Sequence, residues 1–461
     1  MWLLLKNGRV IDPSQGIDQI GDLLIVDGRI AGIGKSPPPH PSLPLRKEGI
    51  DKAPTLGKVR EEWSPLLNEG GKDGAVTIDC TGCVVAPGLI DMHVHLREPG
   101  FEHKETIASG ARAAAAGGFT TILAMPNTKP AVDNRAVVEY VLTKGRSADV
   151  NVLTAGAATK ANDGTEMAEI GDMVEAGAVA VSDDAFPVQS ADLMRRVMEY
   201  CRMFDVPVLT HCEDKTLTLD SVMNEGLNST ILGLRPWPRQ AEEIMVLRNI
   251  LLADLSGCRL HIQHVSTAGS VEAVRWAKAK GIAVTCETCP QYFALTDEAL
   301  TNYDANAKVN PPLRTAADVE AIKAGLADGT IDAIATDHAP HSLEDKQVEL
   351  AYAAFGMVGL ETALGVVITN LVKPGVLSLA DSIAKMTVAP ARILSLSKDE
   401  AGTLAEGAVA DVTVIDPEAT WVVRASEFKS MSRNTPFEGF ELTGKVVATV
   451  VAGKVVSCSL S

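Results

Sequence analysis

The chain has 461 residues, 46% of them hydrophobic and 22% charged, with a formal net charge of −17. That length accommodates two or three average domains, or one large barrel with an accessory domain. The acidic balance argues against a nucleic-acid groove or an anionic membrane surface as the main partner, and an anionic substrate would need local positive charge from a metal or from placed arginines.

The N-terminus, MWLLLKNGRVIDP, has four apolar residues after Met1 and then a turn. That run is too short for a signal-peptide core, and no apolar run in the chain approaches the ~18 residues of a membrane span. A cytoplasmic protein is expected. The eight cysteines then read as free thiols. The pairs Cys80/Cys83 and Cys286/Cys289 have C-x-x-C spacing, but they are far apart and sit in apolar, strand-like runs, so buried core positions are expected rather than a structural zinc site.

The first 35 residues read as short strands and turns. Residues 36–74 interrupt this pattern with seven of the 24 prolines, little periodicity and mixed charge, and read as an inserted loop. Strand character resumes at AVTIDCTGCVVAPG. From residue 89 an alternation sets in. Eight strand candidates follow: LIDMHVH, TTILAMPN, VNVLTAG, AVAVSDD, VPVLTHCED, RLHIQHVS, IAVTCET and IDAIATDH. Helical stretches such as KETIASGARAAAAGG and SADLMRRVMEYCRMF lie between them, with apolar residues at three- and four-residue spacing. This order predicts an α/β fold, a (β/α)₈ TIM-type barrel whose parallel strands are buried on both faces. After about residue 400 short strands return, so both termini are expected to build one small β-sandwich domain. The predicted boundaries are 1–85 with 402–461 for the β-domain and 86–401 for the barrel.

In such barrels chemistry resides at the C-terminal strand ends. Strand 1 ends in His93 and His95, and strand 2 in Asn127. Strand 4 ends in Asp183 and Asp184, strand 5 in His211, strand 6 in His264 and strand 8 in Asp337. Residues i and i+2 of a strand share a face, so His93 and His95 can grip one object, and Arg97 joins them if the strand extends that far. Four imidazoles and two carboxylates on one rim form a ligand set for zinc or a similar ion. Six ligands exceed one tetrahedral site and suit two metals sharing a bridging carboxylate and a bridging hydroxide. Asp183 and Asp184 face opposite ways, and strand parity alone leaves the choice between them open. His261 and His264 are also expected on opposite sides, with His261 a packed or supporting residue. His40, in the insertion, and His103 are expected to face solvent.

The motifs PGLIDMHVHLREPG, AMPNTKP, SDD, HCED, HVST, NPPLR, ATDHAPH and FGMVGLET occur in the order and spacing of a known family. The chain resembles the class I bacterial dihydroorotases of the amidohydrolase superfamily, from about residue 76 to the C-terminus and over the first 35 residues. The resemblance implies reversible cyclisation of N-carbamoyl-L-aspartate to dihydroorotate in pyrimidine synthesis. It implies His93, His95, Asp184, His211, His264 and Asp337 as metal ligands. Two Zn²⁺ ions would be bridged by Asp184 and a hydroxide, with Asp337 as general base and acid. The family's 27-residue gap to His211 selects Asp184 over Asp183. Related hydantoinases and class II enzymes carry a carboxylated lysine in the bridging role, and AVAVSDD has none.

Substrate contacts implied in the same way are His95, Arg97, Asn127, Asn310 and His341, with backbone groups of Phe355 and Gly356. Ala185, Gln291 and the 36–74 insertion depart from the family pattern without removing a catalytic group. The polar stretch HSLEDKQVELAYAAFGM is long enough to act as a lid. Expected partners are the small-molecule substrate, a second copy in a homodimer and aspartate carbamoyltransferase, with neither nucleic acid nor membrane. The alternatives are another cyclic amidase (hydantoinase, dihydropyrimidinase or allantoinase) and a non-catalytic subunit that scaffolds the carbamoyltransferase.

Overall fold

The computed structural model describes residues 2–34, 75–397, 399 and 401–458. The predicted insertion at 36–74, with His40, lies outside the described residues. In chain order, β1 (Trp2–Asp12), β2 (Ile17–Val26), β3 (Arg29–Gly34), β4 (Ala75–Asp79) and β5 (Val84–Pro87) come first. The barrel follows with β6 (Leu89–Val94), β7 (Phe119–Ala124), β8 (Asn151–Ala157), β9 (Ala180–Ser182) and β10 (Val208–Thr210). A two-stranded ribbon of β11 (Met223–Asn224) and β12 (Pro236–Trp237) intervenes. The barrel then resumes with β13 (Leu260–Ile262), β14 (Val284–Thr288) and β15 (Ala333–Ile334). The chain ends with β16 (Val412–Val422), β17 (Glu441–Val451) and β18 (Lys454–Cys458).

The eight barrel strands pair in parallel in the order β15-β14-β13-β10-β9-β8-β7-β6. A parallel bridge between Val94 and His338, with His95 N–H donating to the His338 carbonyl at 2.8 Å, joins the last strand to the first. The expected (β/α)₈ barrel is therefore present. Its continuous apolar runs follow from burial on two sides. Ile122, Val181, Val208 and Ile334 face the helices, while their neighbours Leu123, Ala180, Leu209 and Ala333 fill the interior. Several interior positions are alanines, which keeps the barrel narrow below the rim. Helices begin where the sequence offers caps. Thr106 caps α1 (Ile107–Ala116) in a capping box with Ser109, satisfying N–H groups that the first turn leaves unpaired.

The terminal strands form one sheet, β18-β17-β16-β5-β1-β2-β3, with β4 also paired to β1. Its two ends meet at residue 410: Ala410 N–H donates to the Gly28 carbonyl at 2.9 Å, and Gly453 N–H donates to the Ala410 carbonyl at 3.0 Å. The sheet thus rolls over a single core that holds Leu3, Leu23, Val85, Val412 and Val450. Side-chain hydrogen bonds fasten it to the barrel: Asn151 Nδ2 to Asp411 Oδ2 at 2.7 Å, Thr413 Oγ1 to the Gly118 carbonyl at 2.6 Å and Thr449 Oγ1 to the Ala115 carbonyl at 2.7 Å.

All eight cysteines are free, and seven are buried, as expected for core thiols. Among the described residues no helix is long and apolar enough to cross a membrane. Leu209 lies at the centre of the interior layer and is fully buried. Replacing it with alanine is expected to cost about 2–5 kcal/mol, read as a lowered denaturant midpoint.

Candidate metal and substrate site

The paired parts of the barrel strands are shorter than the apolar runs that announce them, and the polar rim lies just past their ends. His95 and His211 follow the last strand residue directly, Asp184 and His264 lie two residues on, and Asp337 three. Free of the ladder, this backbone is held by other bonds. His211 N–H donates to Asp183 Oδ1 at 3.0 Å, and Asp184 N–H to Ser182 Oγ at 3.1 Å. His264 and Asp337 take left-handed backbone conformations, with φ of 36° and 50°. Such strain in non-glycine residues persists only where the surroundings impose it and clusters at functional sites.

This geometry corrects one parity argument and resolves another. His261 and His264 do not diverge as a continuous strand would require. β13 ends at Ile262, and the left-handed turn at His264 brings its Nε2 to 2.8 Å from His211 Nδ1. Asp183 turns outward onto the backbone of His211 and Val188, and Asp184 turns inward. Burial pushes the Asp183 carboxyl up to about 6, against those hydrogen bonds.

Asp184 stands between two histidine pairs and divides its oxygens between them. Oδ2 lies 3.5 Å from His95 Nε2 and 3.7 Å from His93 Nε2. Oδ1 lies 3.3 Å from His211 Nδ1 and 3.5 Å from His264 Nε2. Asp337 Oδ1 joins the first pair, at 3.0 Å from His95 Nε2 and 3.5 Å from His93 Nε2. Two compact trios result, His93–His95–Asp184 and Asp184–His211–His264, all buried. His93 Nε2 and Asp184 Oδ2 have no hydrogen-bond partner although both are buried. Unpaired buried polar atoms are costly, and a cation between these lone pairs would satisfy both. The donor set of imidazole nitrogen and carboxylate oxygen fits zinc or a similar divalent ion. The trios could hold one ion each, with Asp184 common to both.

Three of the four inner rings, those of His93, His95 and His211, are backed by an acceptor that fixes which nitrogen faces the site. His93 Nδ1 meets Glu287 Oε1 at 2.7 Å, and the other Glu287 oxygen lies 3.3 Å from His261 Nε2. His261 therefore supports the site from behind. Burial would raise Glu287, but its bonds to His261 and His93 prevail and bring it to about 2. His95 Nδ1 meets Asn127 Oδ1 at 2.9 Å. His211 Nε2 meets Glu213 Oε2 at 3.0 Å. Asp91 accepts from the Thr336 and His93 N–H groups at 3.2 and 3.1 Å, tying the ends of β6 and β15 together across the barrel seam.

Arg97 does not reach the rim along a strand, because β6 stops at Val94. A left-handed turn, φ 63°, redirects it. Its Nε–H donates to the Pro340 carbonyl at 3.1 Å, and one terminal nitrogen lies 3.3 Å from His341 Nε2. Burial lowers Arg97 to about 10, against the pull of Asp337 and Asp184, so it remains a cation at neutral pH. His341 Nε2 also lies 2.8 Å from the Phe355 carbonyl. Burial, with the Arg97 charge beside it, lowers His341 to about 2, so its ring is neutral. Asn310 Nδ2 donates to Glu213 Oε2 at 3.2 Å. Both backbone groups of Gly356 are already paired: its N–H with the Lys308 carbonyl at 2.9 Å and its carbonyl with Asn434 Nδ2 at 3.1 Å.

The stretch expected as a lid is tied to its neighbours by lysine hydrogen bonds. Lys346 Nζ donates to the carbonyls of Ala305 and Ala354 at 2.9 and 2.7 Å, and Lys308 Nζ to that of Leu350 at 2.8 Å. Glu213, Glu287 and Asn434 escaped the sequence reading. A lone glutamate in the apolar run IAVTCET was the available signal for Glu287, and HCED held Glu213 in plain view. Asn434 comes from far outside the barrel repeat and had none. His103 is exposed, as expected.

Comparison with known proteins places this geometry in a family. Residues 82–270 match the family model described as dihydro-orotase-like. The chain is 50% identical over 457 residues to a dihydroorotase of Pelobacter propionicus, covering 99% of both chains. It is 51% identical over 456 residues to one of Pelotomaculum thermopropionicum, covering 99% of this chain and 98% of that one. The chain belongs to the dihydroorotases. Among solved structures it is similar to an L-hydantoinase (dihydropyrimidinase) from Arthrobacter aurescens, with a TM-score of 0.82 at 27% identity over 100% of this chain and 98% of that one. A dihydropyrimidinase from Brevibacillus agri, with a TM-score of 0.79 at 22% identity over 99% of this chain and 95% of that one, shares the fold. Family membership thus agrees with the motif resemblance over nearly the whole length, not only the barrel.

The geometry sets a measurable expectation. Zinc added to chelator-treated protein should raise its melting temperature, because an ion that binds only the folded state stabilises it by about 2.7 kcal/mol at a hundredfold excess over Kd. Asp184→Ala should abolish the increment, since both trios lose their shared oxygen. An unchanged increment would remove Asp184 from the ion site.

Proposed function

We propose that this family member catalyses the reversible cyclisation of N-carbamoyl-L-aspartate to dihydroorotate, as a zinc-dependent cyclic amidohydrolase. The observation that carries the reading is the division of the two Asp184 oxygens between His93/His95 and His211/His264, at 3.3–3.7 Å. When bound, two ions there would supply hydroxide near neutral pH and polarise a carbonyl oxygen. His93, His95, Asp184, His211 and His264 are assigned to hold them, with Asp337 beside the first.

The chain's own residues do the rest. In hydrolysis Asp337 takes the proton of the attacking water and returns it to the leaving ring nitrogen; in cyclisation it receives the ureido proton. Its left-handed backbone and its 3.0 Å approach to His95 Nε2 hold the carboxylate at the reacting centre. Arg97 serves the carboxylate that does not react. A guanidinium can grip a carboxylate with two N–H groups, which sets orientation as well as charge. With its Nε–H on the Pro340 carbonyl and one terminal nitrogen beside His341, its remaining N–H groups are left to the substrate. Asn127, Asn310 and His341 complete the cradle. Phe355 and Gly356 act through the backbone shape that they impose on His341, because the Gly356 groups are engaged elsewhere. The catalytic unit is assigned to residues 86–401 and the small β-domain to 1–85 with 402–461, in a cytoplasmic homodimer that the buried free thiols suit.

The hydantoinase-type alternative is disfavoured by an aspartate, with no lysine, at the bridging position. A direct assay decides: turnover of carbamoyl aspartate and dihydroorotate is expected, and preference for hydantoin or allantoin would overturn the reading. Asp337→Ala should nearly abolish turnover with the melting temperature retained, and wild-type-like turnover would refute its role. Arg97→Lys keeps the charge but loses the fork, so KM for dihydroorotate should rise at least tenfold. An unchanged KM would exclude Arg97 as the carboxylate anchor.

A further inference from the structure

Glu213 is a buried carboxylate for which the reaction has no direct use. Both its oxygens are engaged. Oε2 receives His211 Nε2–H at 3.0 Å, Lys215 Nζ at 2.6 Å and Asn310 Nδ2 at 3.2 Å, and Oε1 receives the Thr218 hydroxyl. The residue is 3% exposed. It therefore touches one member of an ion trio and one member of the substrate cradle through the same oxygen.

Each contact removes an ambiguity. A neutral imidazole has one N–H and one lone pair, and a carboxylate accepts but does not donate. Glu213 therefore claims the His211 proton at Nε2, and Nδ1 keeps its lone pair toward Asp184, 3.3 Å away. An amide has the same two-way choice, because its NH₂ and carbonyl can exchange places. Glu213 takes the NH₂ of Asn310. The Asn310 Oδ1 is left buried and without a hydrogen-bond partner. A buried unpaired acceptor beside a substrate cradle calls for a donor from the ligand.

We propose that Glu213 is a positioning residue that sets two choices at once, the imidazole tautomer of His211 and the amide orientation of Asn310, so that Asn310 Oδ1 accepts an N–H of the substrate. The cyclic imide N–H of dihydroorotate, or the ureido N–H of its open form, is the donor class that fits. Ion retention and substrate N–H recognition are thereby coupled through one carboxylate. The substrate half of this inference rests on the function proposed above; the ion half does not.

Glu213→Gln preserves size but replaces one acceptor oxygen with an NH₂, which can no longer dictate either choice. It should weaken zinc binding at one of two sites by about 10–100-fold, as loss of a backing carboxylate does, read as one ion fewer per chain after dialysis against a chelator. It should also raise KM for dihydroorotate, whereas Asn310→Ala should raise KM with the ion count unchanged. In the double variant the two KM effects should be less than additive, because Asn310 is the route by which Glu213 reaches the substrate. Glu213→Asp, which keeps the charge, should restore part of the ion count and so exclude misfolding as the cause. Full ion retention by a folded Glu213→Gln variant, or additive KM effects, would overturn the proposal. If the wild type fails to turn over dihydroorotate, the functional reading falls while the ion count still tests the His211 half.

Discussion

One carboxylate organises this molecule. Asp184 has two oxygens pointing in two directions, and each direction holds a pair of histidines from different strands. No local structure could assemble that set. The histidines come from residues 93 and 95 at one strand end and from residues 211 and 264 at two others, and only closure of a parallel barrel brings these ends together. The short alanine-filled interior and the bridge from Val94 to His338 are therefore requirements of the site as much as of the fold.

Around that centre the structure collects negative charge at a cost that burial makes severe. Asp184, Glu213 and Glu287 are all held below their usual range although burial opposes this in each case: the imidazoles beside each favour the charged form, and Lys215 adds to this at Glu213. Charges out of water persist only when paired or when they serve a cation. The pattern is consistent with a site whose interior carboxylate serves an ion and whose outer carboxylates hold the rings that face it. It also bears on how an acidic protein would receive the acidic substrate proposed for it: Arg97 supplies local positive charge, and cations held by the histidine trios would add to it.

The cradle depends on long-range ties of a different kind. Arg97, His341 and Phe355 meet above the rim, and Asn434, from the connection before β17, braces them through the His341 N–H at 3.1 Å and the Ala339 carbonyl at 3.0 Å. The lysines that fasten the loop after β15 act on carbonyl groups and leave no side-chain pattern by which a sequence could announce them. The terminal sheet, fastened at Gly118 and Ala115, holds the opposite side of the first helical layer.

The sequence by itself determined the repeat, the barrel and the residue types at the rim. Apolar runs of strand length separated by helical periodicity admit few other architectures, and imidazoles and carboxylates at successive strand ends have few other uses. Motif order carried the family, which full-length relatives bear out. Parity, however, assumes that a strand continues, and here the strands stop before the chemistry begins. Tertiary structure decided that Asp184 rather than Asp183 turns inward, that His264 rejoins the interior through a left-handed turn, and that Arg97 arrives by the same device. It also supplied Glu213, Glu287 and Asn434, whose contacts connect residues far apart in the chain. Such choices depend on which neighbour accepts a given proton, and a hydrogen bond across the barrel has no local signature for a sequence to carry.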